Sequence, residues 1–453
     1  MDEENDPRRS GNPTAPRCES RRLSIRLTTA LGFCAAAVLV LLYSGCADRE
    51  ERLTFWVGGA PQEVDYWEEL VAGFERESGI EVEVVRQPTA TDQRKQGLVM
   101  ALASGRPDPD VFLMDIIWIP HFIRSEWLEP LDPYFHERTL MPEFFFSTVV
   151  EDVDRHDDRY YALPAFLDIG ILYYRKDLLE RYGFDGPPET WRELVRQSVT
   201  IQEAERRQNP GFTGFVWQGA QYEGLVCTFL EFAATHGGGI VADGRIDLNR
   251  RGNLAALQFM QDLIRRWRIS PPNTYTEMRE EQVRRTFQRG NALFERNWLY
   301  AWGLHERPGS AVRGKVGMTS LPHAPDAKPG AALGGWHLGI SKTADAKDRA
   351  WRLASYLLSR ETQKKLLLRL GWYSGRKDVY TDPEVLRTVP HIDRLRRNVA
   401  HAVSRPASPY YDLVSRIIQR YVNDCLAGKQ EASQALEAMQ REIDRIGAYY
   451  DDS

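Results

Sequence analysis

A chain of 453 residues, 42% hydrophobic and 27% charged, holds enough apolar material for two or three ordinary domains and has no low-complexity tract. Its formal net charge is −5 and acids are interspersed among its many arginines, so nothing electrostatic points to a nucleic-acid partner.

The first 45 residues read as an export signal. Arg21, Arg22 and Arg26 precede an apolar run from Leu27 to Leu42, which ends in Tyr43-Ser44-Gly45-Cys46. Cys46 directly after Ser-Gly resembles a bacterial lipobox, in which that thiol receives the lipid and becomes the mature N-terminus. Tyr43 departs from the pattern, which has Leu, Val or Ile three positions before the cysteine. Cleaved and lipidated, or retained as a single anchor, the segment leaves the body of the chain outside the cytoplasm, in the periplasm or at the cell surface, held to a membrane. Cys18 and Cys34 fall within the signal, leaving Cys227 and Cys425. Each lies in an apolar, helix-like stretch, which favours two separate buried thiols over a disulfide.

The chain then alternates. Leu53–Val57 reads as a strand, and Tyr66–Glu77 as a helix with Trp67, Leu70, Val71 and Phe74 on one side. Glu81–Arg86 is a second strand, Gln93–Ala103 a second helix, and Val111–Met114 a short strand of the buried parallel type. This is the doubly wound pattern, in which ligands meet the carboxyl ends of strands. Gly58–Glu63 and Asp115 lie at such ends. Tyr160–Asp168 and Leu172–Arg175 read as strand-like, followed by a helix at Lys176–Tyr182 and another begun by Pro187-Pro188 near Trp191. Helices follow around Leu225–His236, Leu254–Trp267 and Glu280–Arg289. Asn291–Glu295 and Trp336–Ser341 read as strands, and Ala344–Leu358 as a helix. Ser433–Ile446 puts Ala435, Leu436, Met439, Ile443 and Ile446 on one stripe, which predicts a docked terminal helix.

Several stretches in order carry a resemblance: VGGAPQEVDYW (57–67), PDVFLMDIIW (109–118), WLEPLD (127–132), YALPAFLDIGILYYRKDLLERYG (161–183), PPETWREL (187–194), GFVWQGAQYEGLVC (214–227), ISPPNTYTEM (269–278), ALFERNWLYAWGLH (292–305), LGGWHLGIS (333–341) and GRKDVY (375–380). Together they resemble the extracellular solute-binding proteins of family 1 that serve ABC sugar importers, and are most similar to the trehalose/maltose-binding proteins. The resemblance implies an α/β chain with the two-lobed periplasmic-binding-protein fold (type II), whose doubly wound sheets are joined by three hinge crossovers. Residues 52–162 and 340–374 would form lobe I, and 163–339 and 375–453 lobe II with the C-terminal helices. It implies a monomeric, non-enzymatic component without cofactor or metal. That component captures a sugar, a disaccharide such as trehalose or maltose, between the lobes and delivers it to the membrane permease.

The resemblance carries binding roles to Glu63, Arg94, Asp115, Asp168, Trp298, Tyr300, Gly335, Trp336 and Arg376. Where the family has a tyrosine two residues before the second aspartate, this chain has Phe166, which keeps a ring but not the hydroxyl. The residue chemistry suits a sugar independently: carboxylates accept from hydroxyls, arginine donates in a fork, and indoles cover the apolar face of a pyranose. Asp115 directly follows an apolar strand, and Trp336 follows Gly334-Gly335, where the backbone can come close to another group.

Rival motifs are incomplete. His236-Gly237-Gly238-Gly239 resembles an esterase oxyanion loop, but no G-x-S-x-G supplies a nucleophile. No histidine pair has metal-ligand spacing. The enzymatic alternative is a secreted glycoside hydrolase using Asp115 and Asp168 as paired carboxylates. Against it, the sequence shows no device for raising either pKa.

Overall fold

Strand β1 (Leu53–Gly58) alternates buried and half-buried residues and leads into helix α1 (Pro61–Ser78), which opens with proline in its first turn. The buried stripe of α1 is Val64, Trp67, Leu70, Val71 and Phe74, the face foreseen from its spacing with one residue added. Strand β2 (Val82–Gln87), helix α2 (Thr91–Ala103) and strand β3 (Val111–Asp115) complete the first alternating run, with β1 parallel to both neighbours. The computed structural model describes residues 52–137, 140–242, 245–389, 402–406, 408 and 410–451. The signal-like segment, Tyr43 and Cys46 therefore lie outside the described residues.

The two strand-like pieces after Tyr160 are one strand, β4 (Leu163–Arg175), 13 residues long. It stays continuous through Gly170 because that residue is paired in register with Trp298 of the neighbouring strand. Helix α3 (Trp191–Glu205) does not start at the prolines. Thr190 is its cap: the Thr190 hydroxyl accepts from the Glu193 amide and the Glu193 carboxylate accepts from the Thr190 amide, so Pro187 and Pro188 end the preceding loop instead.

Next come strand β5 (Thr213–Val216), helices α4 (Glu223–Thr235), α5 (Arg251–Arg265) and α6 (Glu280–Gln288), and strands β6 (Ala292–Trp298), β7 (Val316–Thr319) and β8 (Ala331–Ile340). Helices α7 (Lys347–Leu357) and α8 (Arg360–Leu370), the short strand β9 (Ala402–Val403) and helices α9 (Tyr411–Leu426) and α10 (Ala432–Asp451) complete the described chain. The strands form one nine-stranded mixed sheet in the order β2-β1-β3-β8-β4-β6-β5, with β7 beside β4 and β9 beside β8.

The long antiparallel strands β4 and β8 run through the middle of this sheet, carry a central cluster that includes Ile169, Ile171 and Leu333, and have a further core on either side. On one side, α1, α7 and Leu366 of α8 pack on β1 and β3, with Leu98 and Leu102 of α2 in an adjoining cluster against Phe112 and Phe122. On the other, α3, α4, α5, α9 and α10 pack on β5 and β6. Ala435, Leu436, Met439 and Ile443 are buried in this second core, so the terminal helix docks as its stripe predicts. Cys227 and Cys425 are both buried and unpaired with each other, as their apolar surroundings imply. Among the described residues no helix is long and apolar enough to cross a membrane.

Candidate ligand-binding site

Strand register assembles the site. Trp336 of β8 lies opposite Asp115 on one side and Phe166 on the other, and Gly334 lies opposite Asp168. Trp298, the last residue of β6, pairs with Gly170 two positions beyond Asp168. Residues distant in sequence thus arrive at one place because β3, β8, β4 and β6 are consecutive in the sheet. A break in the β8–β4 register between Trp336 and His337 accompanies the change.

A cavity of about 1020 Å³, part of it open to solvent, lies at the ends of β1, β3 and β6, where a doubly wound sheet places its ligand. Nine of the ten sequence-derived candidates line it: Glu63, Arg94, Asp115, Phe166, Asp168, Trp298, Tyr300, Gly335 and Trp336. Two glycines make room. A Cβ on Gly58 would sit 2.4 Å from Cδ of Arg94, and one on Gly335 would sit 2.9 Å from the Phe166 carbonyl oxygen, at a backbone φ of +157°.

Cations and neighbouring rings pack against the aromatic walls. The Arg94 guanidinium carbon lies 3.9 Å from the Trp336 ring centre, and that of Arg296 lies 4.1 Å from Trp298. Arg296 is itself fixed by a fully buried ion pair with Glu231 at 2.5 Å. Trp118 meets Trp336 edge-on, with ring centres 5.4 Å apart at 88°. Phe166 stacks on Trp372 at 4.0 Å. Its ring is therefore committed to a second cavity-lining aromatic, whatever a hydroxyl at this position would have contacted.

The carboxylates are unevenly compensated. Asp168 Oδ1 accepts from the amides of Leu299 at 2.9 Å and Ile169 at 3.0 Å. Burial nevertheless pushes its carboxyl up to about 8 against those bonds and against nearby Arg296. Glu63 caps α1 by accepting from the Ala60 amide at 2.6 Å, and burial pushes it up to about 7 in spite of that bond and of Arg94. Burial also lowers Arg94 to about 10, partly offset by Glu63, Asp115 and Glu280. No local sequence feature marks these shifts, and a raised carboxyl of the kind a hydrolase would need is present after all.

Arg376 is not at the cavity. Its guanidinium is held by Asp378 at 3.0 and 2.6 Å and by the Leu358 carbonyl at 3.2 Å, a structural role under the loop after Trp372. The arginine that lines the cavity instead is Arg405, from the stretch before α9. It donates to Asp115 at 3.0 Å and to Glu223 at 3.1 Å, while its Nε is buried without a partner among the described residues. Glu223 also accepts from Tyr411 and Ser415 at 2.5 Å each, so α9 orients the network. Sequence reasoning missed Arg405, Glu223, Glu280, Glu281 and Trp372. Only Trp372 carried a local signal, an aromatic following Gly371 just past a helix end. Among the described residues no group of three His, Cys, Asp or Glu side chains is placed to hold a metal ion.

Two cores flanking a cleft, with aromatic walls and carboxylates drawn from both sides, define a protein that encloses a small polar molecule. Comparison with known proteins agrees. The family model described as bacterial extracellular solute-binding protein matches residues 60–364. A probable ABC transporter-binding protein of Deinococcus radiodurans is 32% identical over 421 residues, spanning 91% of this chain and 98% of that protein. The solved structure of maltose-bound T. maritima MalE3 is 37% identical, with a TM-score of 0.80 over 87% of this chain and 99% of that one. A solute-binding protein of Thermotoga lettingae bound with α-D-tagatose is 27% identical, with a TM-score of 0.78 and coverages of 87% and 99%. The chain belongs to the bacterial extracellular solute-binding protein family, with its two-lobed α/β fold. It is an extracytoplasmic solute-binding protein of the ABC-transporter kind, not an enzyme, and the hydrolase alternative falls with that membership.

Proposed function

We propose that the chain captures a sugar, a disaccharide such as trehalose or maltose, and delivers it to the permease subunits of an ABC importer. The observation that carries this reading is the convergence of Trp336, Trp298, Tyr300 and Trp372 with Asp115, Asp168, Glu63 and Arg405 around one cavity. Indoles cover the C–H face of a pyranose, and carboxylates and a fixed guanidinium meet its hydroxyls. Phe166 and Trp372 supply a second aromatic wall, which suits a ligand of two rings.

The lobes are taken to be residues 52–162 with 340–374, and 163–339 with 375–453. Solute enters the open cleft, and closure brings Asp115 and Arg94 against Asp168 around it. The hydroxyls then find partners on both sides, so the ligand favours the closed state. Micromolar binding needs about −8 kcal/mol in total, within reach of a few stacked and charge-assisted contacts after ordering costs. A MalE3 structure with maltose bound and an arabinooligosaccharide-binding protein of Halalkalibacterium halodurans (24% identical, covering 73% of each chain) support a sugar as the class. The protein acts as a monomer anchored through lipidated Cys46.

Calorimetry of the protein from Ala47 onward against trehalose, maltose, sucrose and glucose tests the reading, with heat expected from at least one disaccharide. The absence of heat with every sugar would overturn it. Mass spectrometry of the membrane fraction tests the anchor, which an unmodified Cys46 thiol would rule out.

A further inference from the structure

Outside the cavity, Lys95 of α2 forms an ion pair with Asp412 of α9, 317 residues away. Neither residue lines the cavity. The two helices belong to different cores. Leu98 and Leu102 of α2 pack with Phe112, Phe122 and Leu128, whereas Val414, Ile417 and Ile418 of α9 pack with Leu225 and Leu257. The Asp115–Arg405 pair makes the same connection from inside the cleft, again between the β3 side and the stretch next to α9. Both links join elements of the two cores, so a rigid-body opening of the cleft would separate their partners.

We propose that Lys95 and Asp412 form a closure latch, which sets the affinity for solute without touching it. A contact made only in the closed form lowers the free energy of that form alone. It therefore raises the closed fraction and tightens apparent binding in proportion. Asp412 is 39% exposed and Lys95 16%, so the pair is partly wet and screened by salt. Its effect on the closed-to-open ratio is correspondingly modest, about two- to fivefold, and is divided between apparent affinity and the frequency of opening.

The test uses Lys95→Gln, Asp412→Asn and the exchanged pair Lys95→Asp/Asp412→Lys, each checked for wild-type thermal unfolding. Cys227 lines the cavity and is buried, so its alkylation by N-ethylmaleimide, read by peptide mass spectrometry, reports opening without any ligand. Both single variants should alkylate Cys227 faster than wild type, by up to about fivefold, and the exchanged pair should return toward the wild-type rate. Maltose should dissociate faster from the single variants, and the difference should shrink in 1 M salt, where the screening length is about 3 Å. Unchanged Cys227 alkylation in both single variants, or no recovery in the exchanged pair, would overturn the latch. If maltose does not bind the wild-type protein, the sugar reading is what fails, and the alkylation result alone decides the latch.

Discussion

Asp115 and Arg405, 290 residues apart, are joined by a 3.0 Å bond from Arg405 Nη2 to Asp115 Oδ1. The Arg405 side chain is 2% exposed, and Glu223 holds the other arm of its guanidinium. Removing Arg405 would leave two carboxylates facing the cavity without their cation, a cost well above that of a surface pair. Arg405→Ala is therefore expected to weaken disaccharide binding by at least about tenfold. Arg376→Ala should lower the thermal midpoint through the lost Asp378 pair, yet leave affinity within about twofold, as for a site remote from the ligand. Titration calorimetry of the two variants side by side checks both, and equal losses would reject the assignment.

Trp336 carries a second prediction. Its ring is half-buried, backed by Arg94 and braced by Trp118, so truncation removes a wall of the cavity without hollowing the core. Trp336→Ala should weaken binding by about 1–3 kcal/mol, which corresponds to about 5- to 150-fold, with the fold retained by circular dichroism. Unchanged affinity would remove Trp336 from the site.

These two arginines also show how far the sequence reached. Asp115, Asp168, Trp298 and Trp336 were legible because each stands at or near a strand whose apolar pattern is local, and strand ends are where such sheets bind ligands. Nothing local marks Arg405. Its role comes from pairing with Asp115 and Glu223 through the tertiary fold, while Arg376 stood in a motif that placed it correctly in the chain but not in space. The same distinction explains the secondary structure. Alternation and stripes located β1 to β3 and α10, whereas the unity of β4 depends on partners on both sides, and the start of α3 was set by the Thr190–Glu193 cap rather than by the more conspicuous prolines.

Charge gives a third expectation. Six carboxyl groups line the cavity (Glu63, Asp115, Asp168, Glu223, Glu280 and Glu281) against the guanidinium groups of Arg94 and Arg405. With Asp168 and Glu63 pushed up to about 8 and 7, the acidic excess is fullest at about pH 8.5, where the assay is run. An added anion on the ligand meets this excess inside a partly desolvated cleft, where repulsion is stronger than in water. If trehalose binds, trehalose 6-phosphate should bind at least about tenfold more weakly in the same calorimetric assay. Equal or tighter binding of the phosphate would show that the arginines, not the acids, dominate recognition.

The raised carboxyls of Asp168 and Glu63 give the last prediction, and its sign is set by their direction. Both titrate in the folded protein near 8 and 7, well above the ordinary carboxylate values of about 4 expected in the unfolded chain. Between about pH 4.5 and 8 the folded state therefore binds more protons than the unfolded state, and this contribution to stability falls as pH rises. The thermal midpoint of the ligand-free protein should decline across that window, and Asp168→Asn should flatten the decline, because its amide oxygen can still accept from Leu299 and Ile169 while no charge develops. Ligand affinity should run the other way. A carboxylate accepts a sugar hydroxyl more strongly once ionised, so binding should release protons and tighten from pH 6 to 8.5. Calorimetry in buffers of different ionisation enthalpy measures that release directly. A midpoint that rises with pH through 7 in wild type, or proton uptake on binding, would contradict the protonation states assigned to Glu63 and Asp168.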